Sequence, residues 1–309
     1  MNTTLSSPLP SPAATTVRDR ALVLGGGGST GNAWLIGVIA GLADAGLDVT
    51  GADLTIGTSA GSTAAAQIGW GDPAELYAAT LVAPTAAQLA RGGSGRPNSS
   101  SPVVNHLERL TSFIASSADA VDYRRRLSAS ALEQDAASDG SWSERWRATV
   151  AARLPEQEWP EQRVLITAVD ARTSDPVVFD RDSGVSLADA IAASCSSGLP
   201  YRIGDARYLD GGFRANAENA DLAAGYARVL VLSPFGGRSL APAGWGTHLA
   251  AQVDALRTGG SRVETVFPDA DSEHLFGPNG MDVTLRPAAA RAGYAQAATL
   301  APRLTPFWR

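Results

Sequence analysis

One short motif places a serine where nucleophilic catalysis needs it. The sequence "IGTSAGS" contains G-x-S-x-G from Gly57 to Gly61, directly after an apolar run and before the alanine-rich "TAAAQIGW". Between a strand and a helix, this pattern raises the serine hydroxyl above the sheet, and its glycines permit the tight bend. We therefore expect Ser59 to be a nucleophile.

A serine nucleophile requires a base, and the sequence offers two candidates. A Ser–His–Asp triad needs a late histidine, and His274 in "DSEHLFG" has the only suitable position among three histidines. A carboxylate can serve instead if burial raises its pKa toward neutrality. Asp210 ends the strand expected at "RYLD" and is followed by Gly211 and Gly212, which would let its carboxylate approach a serine on the adjacent strand end.

A glycine-rich turn near the N-terminus, "LGGGGSTGN", permits three interpretations. A phosphate-binding P-loop requires lysine after its last glycine, but that position is Asn32, and all 25 cationic residues of the chain are arginine. Gly26, Gly28 and Gly31 also satisfy the G-x-G-x-x-G pattern of dinucleotide-binding turns. Asp48 follows about twenty residues later, where a ribose-binding acid would stand.

The third interpretation is an oxyanion hole. Glycines at a strand-to-helix turn let backbone amides approach a developing negative charge, and the positive end of the helix dipole strengthens the effect. Gly26, Gly27 and Gly28 are the expected donors. A dinucleotide-binding oxidoreductase that uses the Gly26–Gly31 loop stays open as the alternative from another class.

Together, in this order and spacing, the three motifs resemble those of the patatin-like phospholipase family over residues 20–234. The resemblance implies that the G-G-G-x-x-G loop, ending at Gly31, forms the oxyanion hole. It also implies that Ser59 and Asp210 form a Ser–Asp dyad. Many family members carry Arg or Lys before the last loop glycine, where this chain has Thr30. Positive charge near the oxyanion would then come from backbone dipoles, unless an arginine arrives from elsewhere.

The same resemblance implies a lipid acyl hydrolase of phospholipase A type. Such an enzyme cleaves carboxylic esters through an acyl-serine and needs no metal or organic cofactor. Its partner is a lipid or another acyl-ester substrate. An acyltransferase that passes the same acyl group to an alcohol or amine is the nearest alternative.

The elements that must position these residues follow from the pattern of apolar runs and glycines. Successive strand–turn–helix units predict an α/β fold with a mostly parallel central sheet flanked by helices in three layers. We expect residues 20–309 to form one domain after a disordered leader at 1–19, which is rich in Ser, Thr and Pro. Residues 83–162 form either a partly helical cap or lid, or an ordinary helical part of the same domain.

Composition narrows the partners. The net charge of −6 and a pI near 5.1 disfavour nucleic acid. A single cysteine, Cys195, excludes an intramolecular disulfide, and we expect it to be a buried small residue. The sequence contains no apolar run long enough to span a bilayer and no signal peptide, so we expect a cytoplasmic protein. Without a basic cluster, peripheral membrane contact would be interfacial and largely apolar.

Overall fold

The computed structural model describes residues 19–83 and 102–309, so most of the predicted leader lies outside the described residues. The described chain contains one eight-stranded sheet with the order β5-β6-β3-β2-β1-β7-β8, and β4 also pairs with β3. The strands are β1 (Arg20–Leu24), β2 (Leu54–Gly57), β3 (Val164–Asp170), β4 (Pro176–Phe179), β5 (Tyr201–Ile203), β6 (Ala206–Asp210), β7 (Arg228–Leu232) and β8 (Arg262–Val266).

Helices flank this sheet and alternate with its strands. In chain order they are α1 (Gly28–Asp44), α2 (Ala60–Trp70), α3 (Pro73–Leu81), α4 (Pro102–Ala115), α5 (Ala120–Ala136), α6 (Ser141–Ala151), α7 (Leu187–Ser194), α8 (Leu249–Thr258) and α9 (Arg286–Trp308). The predicted α/β fold with a mostly parallel sheet is confirmed. The antiparallel pairs are β3 with β4, β3 with β6 and β5 with β6.

Both faces of the central strands are buried, which explains their continuous apolar sequences. In β1, Leu22 and Leu24 belong to the large core that α1, α7 and α9 complete. The alternate residues, Ala21 and Val23, belong to a second core with α8 on the opposite face. Because side chains alternate along a strand, one apolar run supplies both cores, and the three-layer arrangement follows.

The register of β3 explains how two distant segments meet. Ile166 pairs with Gly57 of β2 and with Phe179 of β4. Two residues later, Ala168 pairs with Asp210 of β6 and also with β4. Because β4 occupies one edge of β3, β2 and β6 share the other edge. They approach each other end to end, so the end of β6 that carries Asp210 lies next to the end of β2 that precedes Ser59, although the two strands are not paired side by side.

The region predicted as a cap or lid contains α4, α5 and α6, while its residues 84–101 lie outside the described part. Helix α6 packs against α7, where Trp146 Nε1 donates to the carbonyl oxygen of Ala192 at 3.1 Å. Helix α5 buries Leu127 and Ala131 in a third apolar cluster that includes residues of β3 and β6. These two helices therefore share their apolar contacts with the sheet domain. Movement of the region as a lid stays a prediction.

Candidate active site

Ser59 occupies a strained turn between β2 and α2. Its φ of 52° and ψ of −118° place a non-glycine residue in a conformation that side chains rarely adopt. The turn also brings α2 against β1, since a Cβ on Gly61 would lie 1.9 Å from the Leu24 carbonyl oxygen. A Cβ on Gly57 would lie 2.6 Å from Ser62 Cα, so both motif glycines are required by close approach. The strand–turn–helix context expected for G-x-S-x-G is present.

Two neighbouring serines hold the backbone of this turn. The Ser59 amide donates to Ser194 Oγ at 2.9 Å, and Ser62 Oγ donates to the Ser59 carbonyl oxygen at 2.6 Å. Ser194 is fully buried at the end of α7. Neither contact was predicted. Ser62 directly follows the motif, whereas Ser194 is 135 residues from Ser59 and has no local signal.

The side chain of Ser59 is hydrogen-bonded to Asp210. Ser59 Oγ donates to Asp210 Oδ2 at 2.9 Å, and the Gly212 amide donates to Oδ1 at 2.8 Å. Asp210 is only 7% exposed. This burial raises the pKa of Asp210 to about 6, although both hydrogen bonds oppose the shift. The carboxylate is therefore mostly ionised at neutral pH yet a stronger base than an exposed aspartate.

Gly211 lets the Asp210 turn lie directly on β3. A Cβ at Gly211 would stand 2.1 Å from Thr167 Oγ1 and 2.3 Å from the Thr167 carbonyl oxygen. Such distances are far below van der Waals contact, so a side chain here would displace the turn that carries the carboxylate.

Two of the three histidines hydrogen-bond to backbone carbonyl groups of their own segments. His274 is exposed on a 3₁₀ turn, and its Nδ1 lies 3.0 Å from the Asp271 carbonyl oxygen. His248 Nε2 lies 2.7 Å from the Ala241 carbonyl oxygen at the start of α8. The partner of Ser59 Oγ is thus a carboxylate, as the second candidate from the sequence requires.

The glycine loop lies against Ser59. A Cβ built on Gly26 would lie 3.4 Å from Ser59 Cβ, but the Gly26 amide donates to the Ala217 carbonyl oxygen at 2.8 Å. Gly26 is therefore unavailable as an oxyanion donor, contrary to expectation. Among the described residues, no group accepts a hydrogen bond from the amides of Gly27 or Gly28. The Gly31 amide closes the first helical turn by donating to Gly27 at 3.0 Å.

A segment near the C-terminus covers the outer side of this loop. The Gly280 carbonyl oxygen accepts from the Thr30 amide at 3.0 Å, and Met281 lies close to Gly28, whose φ is +66°. The segment also explains why Thr30 fits, because its side chain is fully buried and lies 3.5 Å from the Gly280 carbonyl oxygen.

An arginine reaches the loop from α9. The Arg286 guanidinium donates to the Ser29 carbonyl oxygen at 2.7 Å and to Asn32 Oδ1 at 3.0 Å. Burial, together with Arg153 nearby, lowers the pKa of Arg286 to about 10, so it stays charged at neutral pH. A cation here is unfavourable for the helix dipole of α1, which ends in positive partial charge at this terminus. Positive charge near the loop therefore comes from outside it.

The residues expected to form a dinucleotide site make other contacts in the structure. Asp48 is exposed, and its Oδ1 accepts from the Thr50 amide at 2.8 Å and from the Thr50 hydroxyl at 2.7 Å. This arrangement is a local turn in which Asp48 caps its own backbone. Gly280 and Met281 occupy the space over Gly28.

Two other titratable groups lie near the site. Burial raises the pKa of the Cys195 thiol to about 11, so the thiol stays protonated, and its Sγ lies 3.7 Å from Ser62 Oγ. Glu218, which the sequence did not single out, is 1% exposed, and burial raises its pKa to about 7. Its Oε1 accepts from Ser233 Oγ at 2.5 Å.

Comparison with known proteins identifies the family. The model of the patatin-like phospholipase family matches residues 22–223, well over half of the chain. The chain therefore belongs to the patatin-like phospholipase family, and its class of activity is that of a lipid acyl hydrolase. A search among curated proteins finds none that matches. No helix within the described ranges is both long and apolar enough to cross a membrane.

Two solved structures are similar over most of this chain. VipD from Legionella pneumophila shares 14% identity at a TM-score of 0.43, covering 94% of this chain and 67% of VipD. The type III effector protein ExoU shares 16% identity at a TM-score of 0.33, covering 91% of this chain and 53% of ExoU. The chain thus spans about half the length of ExoU.

Proposed function

We propose that the protein is a serine acyl hydrolase of phospholipase A type, with Ser59 as nucleophile and Asp210 as general base. One observation carries this proposal. A serine held at positive φ at a strand–helix turn donates its hydroxyl proton, over 2.9 Å, to a buried carboxylate of raised pKa. Such a pair supplies both the reacting oxygen and the acceptor for its proton.

In the first half of the reaction, Ser59 Oγ attacks the ester carbonyl carbon while its proton passes to Asp210. The resulting oxyanion lies near the Gly27 and Gly28 amides, for which no described acceptor competes. When the tetrahedral intermediate collapses, the carbon–oxygen bond to the alcohol breaks. Asp210 returns the proton to the departing alcohol, and an acyl-serine remains.

In the second half, Asp210 takes a proton from water, which attacks the acyl carbon. Collapse of the second intermediate releases the carboxylic acid and returns the proton to Ser59 Oγ. The cycle therefore balances with water as the only co-reactant. The mechanism requires Asp210 to be ionised at the start of each half.

The test uses a fluorophosphonate probe, a short p-nitrophenyl ester and phosphatidylcholine vesicles. We expect the wild type to be labelled, to cleave the ester and to release fatty acid from the vesicles. Ser59→Ala should lose all three, whereas Ser116→Ala, at an exposed serine after α4, should keep them. An unlabelled, inactive wild type would overturn the serine mechanism. Cleavage of the short ester without fatty-acid release would overturn the assignment of a lipid substrate.

A further inference from the structure

Asn219 makes an unusual set of contacts beneath the site. Its side chain is fully buried, and its Nδ2 lies within hydrogen-bond distance of three oxygens. These are Thr58 Oγ1 at 3.0 Å, Thr167 Oγ1 at 3.3 Å and the Gly211 carbonyl oxygen at 2.9 Å. The two threonine hydroxyls are themselves 2.9 Å apart. One amide group therefore joins three segments that are distant in the sequence.

These three oxygens belong to the turns that carry Ser59 and Asp210 and to strand β3 beside both turns. Thr58 immediately precedes Ser59, and Gly211 immediately follows Asp210. Thr167 lies on β3 between Ile166 and Ala168, which pair with Gly57 and Asp210 respectively. The amide thus connects the two turns that carry the dyad, at the point where β2 and β6 approach each other end to end.

The orientation of the Asn219 amide is determined by its neighbours. Arg214 Nη1 donates to Asn219 Oδ1 at 3.2 Å, and the same guanidinium makes two hydrogen bonds to Asp221, at 2.8 and 2.9 Å. A guanidinium can only donate and a carbonyl oxygen can only accept, so Nδ2 must face Gly211. The backbone is held as well, because the Asn219 amide donates to Asn216 Oδ1 at 2.7 Å.

We infer that Asn219 is a positioning residue that sets the distance between Ser59 Oγ and the Asp210 carboxylate. This inference rests on the proposed function. Loss of the Nδ2 donor removes the buried amide that connects the two turns beneath the dyad, and the hydrogen bond from Ser59 Oγ to Asp210 Oδ2 then loses that support. Proton transfer depends steeply on the separation of donor and acceptor, so the chemical step should slow while substrate binding changes little.

Glycine is the sharpest replacement at this position. The φ of Asn219 is +53°, a left-handed conformation that glycine adopts without strain, so Asn219→Gly removes the side chain and keeps the backbone. We expect kcat for the p-nitrophenyl ester to fall at least tenfold, with KM within twofold of the wild type. Ser174→Gly is the matched control, because Ser174 has a φ of +64° in a loop apart from the dyad, and it should keep wild-type kcat.

A pair of variants at Thr167 provides a second, independent readout. Thr167→Val keeps the shape of a buried strand residue and removes one acceptor of the Asn219 amide, so kcat should fall severalfold. Thr167→Ser keeps the hydroxyl and should restore most of the wild-type kcat. This pair decides the question even if Asn219→Gly does not fold, as judged by circular dichroism.

The outcomes separate this inference from the proposed function. An unlabelled, inactive wild type would overturn the serine mechanism itself. If the wild type is active but a folded Asn219→Gly variant keeps kcat within twofold, the positioning role is overturned. Where only the Thr167 pair can be measured, equal kcat values for Val and Ser overturn it.

Discussion

The Ser59–Asp210 pair and the glycine loop lie side by side, yet different parts of the chain support them. Beneath the pair are buried polar groups of Thr58, Thr167 and Asn219, joined by direct hydrogen bonds. The loop is contacted from its outer side by residues 280–286, about 250 positions later in the chain. The matched family region, residues 22–223, includes the groups under the pair but not residues 280–286, which contact the outer side of the loop.

Because different segments support the pair and the glycine loop, a substitution can alter one region without altering the other. In the proposed mechanism, a change that alters the hydrogen bonds under the pair would act on the proton transfer from Ser59 to Asp210. Changes in the C-terminal segment act on the glycine loop and leave the pair untouched. The most informative variants are therefore those that disturb either the Ser59–Asp210 pair or the glycine loop, but not both.

The largest effect is expected at the pair. Asp210→Asn keeps the size of the side chain but removes the group that takes the proton, so kcat should fall by about 10² to 10⁴-fold. His274→Ala should leave kcat nearly unchanged, because its ring is exposed and contacts the Asp271 carbonyl oxygen. Ester turnover measured under the same conditions compares the two. The opposite pattern would restore a histidine triad.

The next effect is expected in the glycine loop. A Cβ on Gly28 would lie 2.6 Å from the Gly280 carbonyl oxygen, and its φ is +66°. Gly28→Ala should therefore displace a proposed oxyanion donor and lower kcat by roughly 10² to 10³-fold. Gly204→Ala has a similar φ of +54° with no atom within 4 Å, so it carries the backbone strain without the collision. Similar losses in both variants would show that strain alone explains the effect.

Much of the pair could be predicted from the sequence, because its signals are local. A serine between two glycines after an apolar run, and an aspartate before two glycines, mark positions where close approach excludes a Cβ. What the local pattern could not predict is that β6 runs antiparallel and meets β2 end to end along β3. Strand order and direction depend on pairing between segments that are distant in the sequence, and no short motif records that pairing.

The support of the glycine loop was not predictable for the same reason. Thr30 raised the question of where positive charge would come from, but nothing around Arg286 in the sequence marks it as the answer. Likewise, the loss of Gly26 as a donor depends on Ala217, which lies nearly 200 residues away. A glycine-rich sequence predicts that the backbone can approach a ligand. Which of its backbone amides remain available as hydrogen-bond donors depends on tertiary contacts.

A smaller effect is expected at Arg286. Arg286→Gln removes the charge and the bidentate reach to Ser29 and Asn32, which should loosen the first turn of α1 and lower kcat roughly tenfold. The kcat of Arg286→Lys should lie between those of Arg286→Gln and the wild type, since lysine keeps the charge but not the planar donor pair. Arg303→Gln, on the exposed side of the same helix, should have no effect on kcat. Equal kcat in all four proteins would separate the C-terminal segment from catalysis.

The smallest effect concerns the free energy of unfolding and arises at Glu218, beside the glycine loop. Glu218 Cγ would lie 3.4 Å from a Cβ on Gly25, and burial raises the pKa of Glu218 from 4.5 to about 7. The folded state therefore holds this proton more strongly than the unfolded state. The free energy of unfolding must then fall as pH rises from about 4.5 to about 7.

Glu218→Gln stays neutral at every pH and keeps an acceptor for Ser233, so it should escape that loss. By pH 8 it should be more stable than the wild type by roughly 1 to 3 kcal/mol, and at pH 4 the difference should nearly vanish. Urea unfolding at both pH values measures this, with the exposed Glu133→Gln as control. A pH-independent difference between Glu218→Gln and the wild type would mean that folding leaves the pKa of Glu218 unchanged, so that the carboxyl group is ionised in the folded protein at neutral pH. The loop would then rest on a buried charge rather than on a neutral carboxyl group.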